Sequence, residues 1–91
     1  TGIPAEYSIS QNYPNPFNPS TKIDFSLPVD SKVSIRVYDM TGKEAAVLVN
    51  SQMAAGNHTV NFNASNLSSG VYFYTISAGN FSKTVKMILA K

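Results

Sequence analysis

The chain has 91 residues, of which 43 % are hydrophobic and 13 % charged, with a formal net charge of +2 and no cysteine. That apolar content in one domain's length argues against disorder. The missing cysteine excludes disulfides, thiol catalysis and cysteine-based zinc sites, the small charge gives no nucleic-acid footprint, and no apolar run reaches transmembrane length.

Thr1-Gly2-Ile3-Pro4 reads as the tail of a linker and shows no signal-peptide pattern. Residues 1–6 are therefore expected to end a linker, and residues 7–91 to form one domain at the C-terminus of a longer protein. A short strand is expected over Tyr7–Gln11. The next stretch, Asn12-Tyr13-Pro14-Asn15-Pro16-Phe17-Asn18-Pro19-Ser20-Thr21, combines three prolines and three asparagines with two aromatics. Proline fixes φ and pushes the residue before it out of the helical region, while Asn suits turns. The stretch should be a stiff, shaped loop that Tyr13 and Phe17 pin onto a core.

Alternation of period two dominates the rest. Ile23, Phe25 and Leu27 alternate with Lys22, Asp24 and Ser26 until Pro28 stops the strand. Val33, Ile35 and Val37 alternate with Ser34, Arg36 and Tyr38. Asp39 and Gly42 occupy the first and last positions of a type I turn. Glu44–Asn50 mixes Ala-Ala with Val-Leu-Val and is read as a strand because its surroundings are β. Ser51–Gly56 is a connector punctuated by Gly56, and His58, Val60 and Phe62 form the next alternating set. Asn63–Gly70 is a polar loop anchored by Leu67, with Ser68-Ser69-Gly70 as a turn before Val71 whose glycine supplies a positive φ. Val71–Ser77 is apolar on both faces and is expected to be a central strand covered on each side. Ala78-Gly79-Asn80 should turn it into a hairpin with Phe81–Leu89. Seven short strands with no convincing helix predict an all-β, two-sheet antiparallel sandwich of immunoglobulin-like type, without the cysteine and tryptophan hallmarks of antibody domains.

No catalytic constellation appears. His58 shares parity with Val60 and Phe62 and is read as a hydrogen-bonded residue at the core margin. Glu6, Asp24, Asp30, Asp39 and Glu44 form no paired pattern, and no Gly-x-Ser-x-Gly elbow is present. Asn15, Asn18 and loop carbonyls are oxygen donors of the kind calcium takes, but no metal and no cofactor is expected. Four Asn-x-Ser/Thr matches, beginning at Asn57, Asn63, Asn66 and Asn80, are read as turn chemistry. Tyr72 and Tyr74 share a face that Tyr38 could extend into a sugar-binding surface, but are more simply read as residues that cover a second sheet or the loop. Residues 45–91 hold Lys83, Lys86 and Lys91 and no acid, so the last strand is locally basic.

Asn12 to Thr21, Tyr38-Asp39-Met40-Thr41-Gly42, Ala55-Gly56-Asn57-His58, Ser69-Gly70-Val71-Tyr72-Phe73-Tyr74 and Lys86-Met87-Ile88-Leu89-Ala90-Lys91 occur in that order. The ordered set resembles the type A C-terminal sorting domain of the type IX secretion system over Tyr7–Lys91. The resemblance implies a non-catalytic address that folds in the periplasm at the C-terminus of a cargo. It further implies partners: the translocon, an outer-membrane shuttle protein and a sortase-like peptidase, in a Gram-negative bacterium that exports the cargo to its surface or the medium. Neither nucleic acid nor membrane insertion is implied. The recognition residues expected on this basis are Lys83, Lys86, Met87, Ile88, Leu89 and Lys91, in a basic terminal strand whose free end is added to, or inserted against, a partner's edge. Asn12, Tyr13, Pro14, Asn15, Pro16, Phe17, Asn18, Pro19, Asp39, Gly42, Gly56, Ser69, Gly70, Val71 and Tyr72 are expected to act structurally. The alternatives are an immunoglobulin-like spacer and a carbohydrate-binding module of an extracellular enzyme.

Overall fold

The alternating runs become seven antiparallel strands in the computed structural model, described over residues 4–90. They are β1 (Ser8–Ile9), β2 (Ser20–Leu27), β3 (Ser31–Tyr38), β4 (Glu44–Met53), β5 (Gly56–Asn63), β6 (Gly70–Ala78) and β7 (Phe81–Leu89). No helix occurs among the described residues. One sheet has the order β1-β2-β5 and the other β4-β3-β6-β7.

The inward residues fix which faces meet. Ile23, Phe25 and Leu27 from β2 and Phe62 from β5 pack with Val33, Ile35 and Val37 from β3, Tyr74 and Ile76 from β6, and Met87 and Leu89 from β7. Burying one face of each sheet against the other is what lets so short a chain stabilise its strands. The Tyr72 hydroxyl donates to the Ser68 carbonyl four residues upstream, at 2.7 Å. That is the tyrosine corner of immunoglobulin-like sandwiches, here without the disulfide.

The turns follow their sequence signals. Gly42 N–H donates to the Asp39 carbonyl at 3.0 Å, and Thr41 N–H, Thr41 Oγ1 and Lys43 N–H all donate to Asp39 Oδ1. These bonds, the Thr41 hydroxyl first, hold the Asp39 carboxyl below its usual range. The β6–β7 hairpin turns on Gly79-Asn80, with Ala78 opposite Phe81.

Several details differ from expectation. β4 runs on to Met53, because Ser51, Gln52 and Met53 pair with Val33, Lys32 and Ser31; the connector shrinks to Ala54-Ala55. β1 is only Ser8–Ile9, although irregular pairing continues through Ser10 N–H to the Asp24 carbonyl and a Tyr13–Lys22 bridge. β6 is central in its sheet but is covered on one face only: Val71, Phe73 and Thr75 lie half-buried on the outer face. In the Asn63–Gly70 segment Leu67 is half-buried, and the deeper anchor is Ala64, fully buried with its N–H on the Pro19 carbonyl.

Candidate functional site

The carboxylates are dispersed. Asp24 accepts from the Thr59 hydroxyl, Asp30 from the Ala55 N–H, Asp39 caps its own turn, and Glu44 pairs with Arg36 at 2.7 Å. No group of three His, Cys, Asp or Glu able to hold a metal occurs among the described residues. His58 bonds through Nε2 to the Ala54 carbonyl at 2.7 Å and stacks on Phe25 with ring centres 5.3 Å apart. Tyr72 and Tyr74 point into the core, while Tyr38 pairs with Phe73 on the opposite face. These tyrosines therefore do not make a shared sugar-binding platform.

What the fold does assemble lies at one end of the sandwich, where three motifs distant in sequence meet. Gly70, Val71 and Tyr72 at the start of β6 pair with Leu89, Ile88 and Met87 at the end of β7. The opposite edge of that same part of β7 is taken by the proline loop. The Gln11 side-chain amide donates to the Lys86 carbonyl at 2.8 Å. Ile88 N–H donates to Asn15 Oδ1 at 3.0 Å. Phe17 N–H donates to the Ile88 carbonyl, and Ala90 N–H to the Phe17 carbonyl. Phe17 thereby forms a short parallel bridge to Leu89.

The loop reaches this position because its own interior is tied. Asn12 is 2 % exposed. Its Nδ2 donates to the Pro14 carbonyl and to Thr21 Oγ1, and its Oδ1 accepts from Gln11 Nε2. Thr21 Oγ1 in turn donates to the Pro14 carbonyl. The peptide bonds preceding Pro14, Pro16 and Pro19 are cis. Phe17 enters the core, 1 % exposed and 6.1 Å from the Phe62 ring. Tyr13, expected beside it, is 72 % exposed. Its backbone, not its ring, attaches the loop, through paired bonds with Lys22. The Asn15 carboxamide is committed to Ile88, which leaves the loop organised as a clasp on β7.

The expected recognition residues separate into two groups. Met87 and Leu89 are buried in the core and support the fold. Lys83 and Lys86 are exposed and Ile88 is half-buried. Lys83 pairs with Ile76, whose side chain faces the core, and Lys86 with Phe73, whose side chain faces out. The two lysines therefore lie on opposite faces of β7. Lys91 lies outside the described residues. On the side of β7 away from β6, the clasp occupies the edge from the Lys86 carbonyl to the Ala90 N–H. Gln11, which carries no sequence signal beyond its place next to the loop, joins the arrangement through its side chain.

A family model described as the secretion system C-terminal sorting domain matches residues 11–90. No curated protein and no solved structure matches the chain.

Proposed function

This chain belongs to the family of secretion-system C-terminal sorting domains, and we propose that it is the address through which the type IX system exports a protein joined to its N-terminal side. The reading rests on one observation: the family match runs from Gln11 to Ala90, and so spans both arms of the clasp and the β6–β7 hairpin between them. The domain binds rather than catalyses. The translocon and an outer-membrane shuttle protein read its folded surface, and a sortase-like peptidase then acts on the segment leading into it. The cargo finishes on the cell surface or in the medium of a Gram-negative bacterium.

The structure suits such a role. A sandwich with its own core folds independently of what is attached to it. The exposed, basic part of β7 offers main-chain groups and charge together. The test is to attach residues 1–91 to an inner-membrane export signal and a fluorescent protein that folds in the periplasm. Surface or extracellular fluorescence that disappears when the type IX translocon is deleted is the expected result. Fluorescence retained in the periplasm of cells with an intact system would sink the reading and favour a spacer.

A further inference from the structure

The proline clasp stops at the Lys86 carbonyl, and among the described residues nothing pairs with the part of β7 before it on that side. Backbone groups alternate along a strand, so Ser82 and Thr84 present their N–H and C=O groups in the same direction as Ile88. Those of Ile88 are bonded to Asn15 and Phe17, whereas those of Ser82 and Thr84 have no partner among the described residues. Ser82, Lys83 and Thr84 are all exposed. A bare edge of this kind is a template for another strand.

The charges say which strand. Neither Lys83 nor Lys86 has an ion-pair partner among the described residues, and no Asp or Glu occurs after Glu44. Lys83 has core-facing parity on an edge strand, where an inward charge opposes pairing with an identical edge. A second copy of this chain would set lysine against lysine. Because the two lysines lie on opposite faces of β7, one added strand meets both only through residues of opposite parity.

We infer that the open edge running from Phe81 to the Lys86 N–H docks an extended segment of a partner protein by strand addition, and that this segment carries two acidic residues three positions apart. The Gln11–Lys86 bond marks where the added strand must end and so fixes its register. The inference rests on the sorting-signal reading and names the chemistry of the partner that reading requires.

Two synthetic peptides of identical composition, each about eight residues long, test it. One carries aspartates at positions i and i+3, the other at i and i+2, in a Thr/Val background. Titrated into the isotope-labelled domain, the i,i+3 peptide should bind about tenfold more tightly and shift the amides of Ser82, Thr84 and Lys86. Thr84→Pro removes a backbone N–H that bonds to none of the described residues, at a position where an edge strand tolerates proline; it also removes the exposed hydroxyl contact with Thr75, and should abolish binding. Lys83→Glu with Lys86→Glu should instead select the same peptide with lysines in place of aspartates, which keeps the test decisive if the proline variant unfolds. Equal affinity for the two aspartate peptides, or wild-type binding by Thr84→Pro, overturns the inference. The export reporter separates the two levels. If the wild-type fusion is exported and the charge-reversed fusion is exported equally well, the docking edge is wrong and the sorting reading stands. If the wild-type fusion is retained, the sorting reading is wrong and the peptide titration alone decides the edge.

Discussion

Tyr74 shows how much one side chain carries here. Its ring is fully buried, and its hydroxyl donates to the Ser10 carbonyl at 2.7 Å, tying β6 to the segment that leads into the proline loop. Burial pushes its pKa up to about 12, against a smaller opposing hydrogen-bond contribution from the Asn12 backbone. A folded pKa above the unfolded one means that the unfolded chain releases the proton first. Stability is therefore fully present below pH ~10 and is lost as pH rises towards ~12. Tyr74→Phe should cost about 1–2 kcal/mol at neutral pH by leaving the Ser10 carbonyl unsatisfied. It should also flatten the alkaline fall in stability, read by urea unfolding across that pH window. An unchanged alkaline slope would mean that another group sets it. Residue-level reading from the sequence succeeded where hydropathy and burial agree, as at Phe17, and failed where they part. Tyr13 is apolar enough to anchor but stays outside, while Asn12 is polar yet buried because Pro14, Thr21 and Gln11 satisfy its carboxamide.

Among the elements, β7 is the one whose two halves differ. Its first half is a bare edge. Its second half is held by β6 on one side and by the clasp on the other, with Met87 and Leu89 in the core. Leu89→Ala should destabilise the domain by about 2–5 kcal/mol. It should also release the clasp ahead of global unfolding, so that the Ile88 and Ala90 amides exchange with solvent faster than those of Val33–Val37. Uniform exchange across both sets would show that the clasp has no separate opening. The strands themselves were legible because each half-buried strand alternates in sequence. The clasp was not, because its bonds come from a Gln side chain, an Asn side chain and a single residue of parallel bridge, none of which leaves a periodic trace. β6 misled for a related reason: Val71 and Phe73 are apolar, but their face is shielded only in part.

At the scale of the molecule, the order of the sheets dictates how the chain must fold. β2 pairs with β5 across β3 and β4, and β3 pairs with β6 across β4 and β5, so each sheet is closed by a pairing between strands far apart in sequence. Topologies of this kind refold in about milliseconds to seconds, and stopped-flow fluorescence of the tyrosines should show the main phase there, with or without reductant. A microsecond main phase would contradict the non-local pairing. The body that results measures 38 × 25 × 17 Å. Its acids lie at or before Glu44, and its later residues contain only basic charge, an asymmetry visible in the sequence although the separation of the lysines onto two faces was not.

The bond between Asn15 and Ile88 joins residues 73 positions apart. A ribosome adding about 5–20 residues per second needs roughly 4–15 s to deliver the second after the first. Throughout that interval Phe17 has been made while the strand that receives it has not, so the domain cannot lock before its final stretch has been translated. The clasp is thus the last contact a newborn chain can make, seconds after the loop that supplies its other arm has left the ribosome.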